Sequence, residues 1–315
     1  DFDVIQLEKI SNGNALLLLM WQLLHKCGLP NNFDIDDTVL LNFLQIVNGG
    51  YHPNPYHNSQ HATNVLHFVQ YVVDTGGMAH TIGMDACDHL AILLASVVHD
   101  YSHPGFNNKF HIRTSSYLAV LYNDMSVLEN HSLAQVFQLC REPLYNIFAS
   151  FSEEAFQTVR KSVIDMVLAT NMEHHQHILT RFQARLGEPD PWCKKDDQRL
   201  AMECVLKLAD AGDCCLPTRQ YIHWATLQEM EFYSQGDAEK KVFGTSSPFM
   251  DRLQGRPHFA HGQLCFMKYV VTPLINAICR LLPRMRFVLQ YLEKNQKMWI
   301  DIYGSKRSAG AKVDG

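Results

Sequence analysis

The chain has 315 residues, 47% hydrophobic and 19% charged. That is ample material for a large core, and it excludes a disordered, collagenous or coiled-coil chain. Basic residues number 27 and acidic residues 32, a net charge of −5 with histidine neutral. No general positive field recruits a nucleic-acid backbone or an anionic membrane, so an anionic substrate must be held by something local.

The first long apolar run, Ala15 to Leu24, is broken by Gln22, and the next, Leu90 to Val98, is short. Neither spans a bilayer, so no membrane insertion is expected. The chain begins at Asp1 without a charged leader and cleavage site, which reads as a piece excised from a longer protein. Nine cysteines, with no C-x-x-C spacing and with Cys214 next to Cys215, read as free or buried thiols in a reducing, cytoplasmic compartment.

Stops fall at Gly28 and Pro30, at Asn48-Gly49-Gly50, at Gly76-Gly77, at Pro104-Gly105, at Pro189 and Pro191, and at Ser246 to Pro248. Between them apolar residues recur at helical spacing, as in Val39, Leu40, Phe43, Leu44 and Val47 behind a cap at Asp36 or Asp37. Alternating β-branched runs are nearly absent. The expected fold is therefore all-α: one compact multi-helix domain over 1–304, whose subdomains the sequence does not divide. Residues 305–315 lack apolar anchors and read as a frayed tail.

Chemistry enters with the histidines. In Tyr56-His57-Asn58-Ser59-Gln60-His61, two imidazoles stand four residues apart, and a helix opening here would project both from one face. Taken alone, this is as well explained by a polar helix N-terminus. The apolar run Leu90 to Val98 then leads into His99-Asp100, with His103 close behind. Burying adjacent imidazole and carboxylate groups without compensation is costly, and a divalent metal compensates both. A third apolar stretch, Met202 to Ala209, ends at Asp210. By itself this is a helix-end carboxylate; with His61, His99 and Asp100 it completes two imidazoles and two carboxylates.

The order Tyr-His-Asn-x-x-His-Ala, His-Asp-x-x-His-Pro-Gly-x-x-Asn, Ala-Asp and Gly-Gln-x-x-Phe resembles the catalytic domain of class I cyclic-nucleotide phosphodiesterases, from about Tyr51 to Trp299. The stretches Tyr122 to Asp124 and Ser126 to His131 add to the likeness. The resemblance implies that His61, His99, Asp100 and Asp210 ligate zinc, and that Asp100 bridges to a second ion, Mg²⁺ or Mn²⁺. His103, Glu129 and Thr170 stand at the positions that hold that ion's waters. It also implies hydrolysis of 3′,5′-cyclic nucleotides (cAMP, and cGMP as well) to 5′-monophosphates by a hydroxide bridging two metals. Such a pair lowers the pKa of water and neutralises phosphate charge. His57, one helical turn from His61, is then the general acid to the 3′-oxygen.

The resemblance further assigns the purine to Gln263 and Phe266, an amide for its edge and a ring for its face. Tyr56, Asp213, Leu227, Gln228 and Met230 complete the expected substrate contacts. Gln228 stands where the family usually has an aliphatic clamp residue, with Leu227 or Met230 as substitutes. Asp213 stands where cAMP-selective members often have asparagine, which motivates dual cAMP and cGMP hydrolysis. Asn171, where aspartate is common, and Ser132, where histidine often sits, are further departures, and neither is a metal ligand. Regulatory domains are expected outside this segment. The rivals are another His-Asp metal phosphohydrolase and a nucleotide-binding module that has lost catalysis; complete ligands and His57 argue against the latter, because pure binding needs neither zinc nor a proton donor.

Overall fold

In a computed structural model, which describes residues 2–310 and side chains over 2–304, the longer helices are α1 (Ala15–Lys26), α2 (Asp37–Gly49), α3 (Ser59–Val73), α4 (Ala86–Val98), α5 (Val127–Leu139), α6 (Glu153–Thr170), α7 (His175–Arg185), α8 (Lys195–Ala211), α9 (Thr218–Phe243), α10 (Gly255–Phe266), α11 (Thr272–Leu281) and α12 (Val288–Gly310). The described residues contain no strand, so the fold is all-α as expected. α12 takes in 305–310 of the expected tail, and 311–315 lie outside the described residues.

The chain divides into two compact units that the sequence did not separate: residues 1–53 with 57–210, and residues 54–56 with 211–315. The first is built around α4. Leu90 to Val98 are all buried, the pattern of a central helix covered on every side, and α3 and α6 pack against it. Its start is fixed by a capping box, in which Asp85 accepts from the Asp88 amide at 2.9 Å and Asp88 accepts in return at 3.1 Å. Lys195 Nζ closes this end on Asp85 and Asp88 at 2.6 and 2.7 Å. α2 starts at the expected cap, where the Asp36 carboxylate accepts from Thr38 and Val39 amides at 2.8 and 3.0 Å.

In the second unit α10 packs on α12, and the long α9 runs through Trp224 and Tyr221, both fully buried. Gly236 of α9 lies so close to Met250 that an added Cβ would stand 1.9 Å from the Met250 carbonyl oxygen. The adjoining turn is stapled by buried Glu239, which accepts from the Ser247 amide and hydroxyl. α10 continues through a π-helical turn, Met267–Val271, into α11. This run, Arg252–Leu281, is long and apolar enough by length and composition to cross a bilayer, unlike the two runs weighed above, with 44% of its most apolar window buried. Core helices pass the same test.

Candidate active site

Three helix termini of the first unit bring the metal-type residues together. α3 starts where Asn58 captures the amides of Gln60 and His61 at 3.0 and 3.1 Å, and this places His61 in the first turn, fully buried. α4 ends at Val98, with His99 as its cap and Asp100 just beyond. α8 delivers Asp210 one residue before its end. The four ligand-type atoms lie within 4.8 Å of one another. His61 Nε2 stands 3.2 Å from Asp210 Oδ1 and 3.6 Å from Asp100 Oδ2; His99 Nε2 stands 3.5 and 3.2 Å from the same two oxygens.

Such close approach of buried donors is what a cation would organise. His99 Nδ1 donates to the Ser96 carbonyl at 3.0 Å, which in the neutral ring leaves the lone pair on Nε2 aimed into the cluster. His99 Nε2 and Asp100 Oδ2 are both buried without a hydrogen-bond partner among the described residues. Burial pushes the His99 imidazole down, yet the Asp100 and Asp210 carboxylates outweigh it and hold the ring well above its usual value. Burial pushes Asp100 and Asp210 up, and the neighbouring histidines outweigh it, so both are held low. The site thus keeps two carboxylates ionised at the cost of charging a buried ring. A divalent ion fits this donor set, because it supplies the positive charge that the ring otherwise carries.

The other expected metal-side residues are placed as follows. His103 is buried, accepts the Gly105 amide at Nδ1 and so carries its proton on Nε2 when neutral. Asn108 Nδ2 donates to both oxygens of Glu129 at 3.1 and 2.9 Å. Burial still pushes Glu129 up to about 7, with Asp100 and Asp210 adding to the effect. The Thr170 hydroxyl donates to the Val167 carbonyl at 2.7 Å, which leaves it only acceptor capacity.

His57 corrects one detail of the sequence reading. It lies outside α3, because Asn58 forms the cap and the helix begins at Ser59. The neighbourhood of His57 and His61 therefore comes from the turn and not from one helical face. The rings are 5.8 Å apart by centroid, and His57 stacks on His103 at 4.0 Å.

The expected substrate contacts Tyr56, Asp213, Leu227, Gln228, Met230, Gln263 and Phe266 all belong to the second unit. Tyr56 donates its hydroxyl to Asp213 Oδ2 at 2.6 Å. Gln263 is buried within a directed chain. Trp299 Nε1 stands 2.6 Å from the Tyr221 hydroxyl, and an indole can only donate, so the Tyr221 proton goes to Gln263 Oε1 at 2.8 Å. Gln263 Nε2 then donates to Gln228 Oε1 at 2.7 Å. One lone pair and one N–H of the Gln263 amide remain for a ligand. Gln228 is thus bound to Gln263, whereas Met230, two residues on and pointing to another side of the helix, is 53% exposed. Leu227 and Phe266 are half-buried.

Sequence reasoning missed Tyr221, Trp299 and Lys207. The first two are distant in sequence and look like ordinary core aromatics. Lys207 sat inside an apolar run, and that intrusion was its signal.

A profile of the 3′5′-cyclic nucleotide phosphodiesterase family matches residues 56–292. The mouse dual specificity calcium/calmodulin-dependent 3′,5′-cyclic nucleotide phosphodiesterase 1B is 34% identical over 282 residues, 88% of this chain and 51% of that protein. The mouse high affinity cAMP-specific and IBMX-insensitive 3′,5′-cyclic phosphodiesterase 8A is 32% identical over 321 residues, 95% of this chain and 38% of that protein. The chain thus spans about half or less of the length of these relatives. The crystal structure of the phosphodiesterase domain of Salpingoeca rosetta rhodopsin phosphodiesterase superposes with a TM-score of 0.89 at 28% identity, covering 99% of this chain and 94% of that one. With the motifs, the all-helical fold and the His-Asp cluster in agreement, the chain belongs to the 3′,5′-cyclic nucleotide phosphodiesterase family.

Proposed function

We propose that the chain hydrolyses 3′,5′-cyclic nucleotides, cAMP and cGMP, to 5′-nucleoside monophosphates, and that it holds zinc at His61, His99, Asp100 and Asp210. The observation that carries this reading is the convergence of two buried imidazoles and two carboxylates within 4.8 Å. Asp100, with His103, Glu129 and Thr170, would hold a second ion, Mg²⁺ or Mn²⁺. When bound, the two cations supply charge for the phosphoryl oxygens and make a water acidic enough to attack near neutral pH.

The remaining steps belong to this chain's residues. His57 gives its proton to the departing 3′-oxygen, and its stacking on His103 supports the ring in a position beside the ligands without its being one of them. Gln263, held by Tyr221 and Gln228, offers its remaining N–H and lone pair to the purine edge, and Phe266 to the face. Asp213, tied to Tyr56, favours a dual substrate over strict cAMP selectivity. From the thiol pattern of the sequence we propose a cytoplasmic location, or membrane association through regions outside this chain; the 51% of the dual specificity relative that it matches supports regulatory segments elsewhere in a longer protein.

The test is His57→Asn. Turnover of both nucleotides should fall by about 10²–10⁴-fold while zinc content stays at the wild-type level. Full turnover in a metal-replete His57→Asn protein would remove the role.

A further inference from the structure

Lys207 is an ammonium in the wrong kind of place. It lies near the C-terminal end of α8, about one turn before Asp210, and is 1% exposed. Burial outweighs the pull of the Asp210 and Glu129 carboxylates and pushes it down to about 8. An apolar side chain of similar length would fill the volume without the desolvation cost. What the ammonium does is visible in its partners: it donates to the carbonyls of Ala169, Thr170 and Asn171 at 2.8, 3.0 and 3.1 Å. Ala169 and Thr170 end α6, where carbonyls lack helical partners and the helix dipole is negative; Asn171 caps it and also accepts the His174 amide at 3.2 Å, and three carbonyls match the three donors of one lysine.

The contact does not stop at α6. Asn171, whose carbonyl Lys207 holds, donates its side-chain Nδ2 to Ser126 Oγ at 2.9 Å, and Ser126 immediately precedes α5. The same helix start is fixed by Asn108, whose Oδ1 accepts the Leu128 amide at 2.9 Å while its Nδ2 grips Glu129. One buried group therefore ties together the ends of three helices. α8 carries Asp210, α6 carries Thr170 and α5 carries Glu129.

We propose that Lys207 is a positioning residue that sets the ends of α6 and α5 relative to Asp210, and so builds the water-lined half of the metal site for the second, non-zinc ion. The inference rests on the two-metal reading above. Three of the four zinc ligands, His61, His99 and Asp100, come from other helix ends, and the fourth, Asp210, stays on α8 with its side chain unchanged.

The experiment uses the whole chain loaded with zinc alone and titrated with Mn²⁺ by electron paramagnetic resonance. Lys207→Met should weaken Mn²⁺ binding by about tenfold or more, the usual cost of losing an outer partner of a metal site, while zinc content stays at the wild-type level. Unchanged Mn²⁺ affinity overturns the proposal. So does tighter binding, which is what simple removal of a positive charge near Asp210 would give. If Lys207→Met does not fold, Ser126→Ala carries the test, because it keeps the ammonium and cuts the chain at its far end. Weaker Mn²⁺ binding is again expected, and an unchanged constant again refutes. A purely structural role would lower the melting temperature and leave the Mn²⁺ constant alone. Absence of cyclic-nucleotide hydrolysis by the zinc- and manganese-loaded wild type would instead sink the proposed function, so the two failures are distinguishable.

Discussion

Tyr221→Phe removes one oxygen and breaks two hydrogen bonds. The lost hydroxyl accepts from Trp299 Nε1 at 2.6 Å and donates to Gln263 Oε1 at 2.8 Å. Trp299 is 0% exposed and Tyr221 2%, so no water replaces the hydroxyl without rearrangement. Leaving a buried donor unsatisfied costs roughly 1–3 kcal/mol, and the Gln263 acceptor adds to that until its amide turns, for a total of about 2–4 kcal/mol. At about 2–4 °C per kcal/mol for a large domain, the melting temperature should fall by about 5–15 °C in differential scanning calorimetry. Function should change in a second way. With the oxygen no longer pinned, the amide turns more freely, and the ratio of kcat/KM for cAMP to that for cGMP should move towards unity by up to about tenfold, the equivalent of about 1.4 kcal/mol. Gln228→Leu cuts only the outer, half-exposed link to Gln263 Nε2, so it should cost less stability and still move the ratio. A Tyr221→Phe protein that melts within 2 °C of wild type, at about the precision of the assay, and keeps the same nucleotide ratio would refute the directed chain.

Other consequences follow from groups away from the site. Glu203 on α8 is pushed by burial up to about 7 from an ordinary 4.5. The unfolded chain releases that proton earlier, so the group costs stability as pH rises from about 4.5 through 7, and fully above it. Glu203→Gln should therefore stabilise by about 1–3 kcal/mol at pH 8, a range discounted for its partial exposure, and far less at pH 5; equal melting shifts at both pH values would show the assignment to be wrong. Gly236→Ala would ordinarily gain about 1 kcal/mol of helix propensity. Here its Cβ meets the Met250 carbonyl oxygen at 1.9 Å in a turn stapled by Glu239, so chemical denaturation should show a net loss of about 1–3 kcal/mol, and a gain would contradict the packing. Asp85→Ala removes the cap of α4 and one of the two carboxylates holding Lys195, and should lower stability by about 1 kcal/mol, read from the denaturation midpoint; an unchanged midpoint would mean the cap contributes nothing.

The helical class was legible because its signals are local. Asp36 caps α2, Asn58 caps the helix of His61, and the apolar run to Val98 is buried on all sides. The metal-type residues were legible because imidazole and carboxylate at the end of an apolar helix need a reason to be there. What local pattern could not give was long-range pairing. Whether Lys207 reaches the end of α6, or Trp299 reaches Tyr221 across 78 residues of sequence, depends on packing that no window of the chain contains. The division at Asp210 was hidden for the same reason: it falls inside α8, where composition does not change. His57 falls just outside the helix because Asn58 takes the cap, a choice that the four-residue spacing alone leaves open.

The account stands or falls on metal at the four-ligand cluster. Purified protein should be analysed for bound elements, stripped with a chelator, and assayed for 5′-monophosphate release from cAMP and cGMP before and after zinc and magnesium are restored, with anomalous scattering locating the ions. The account predicts zinc between His61, His99, Asp100 and Asp210, hydrolysis abolished by stripping, and recovery on restoring both ions. Full hydrolysis by protein whose cluster holds no metal would contradict it.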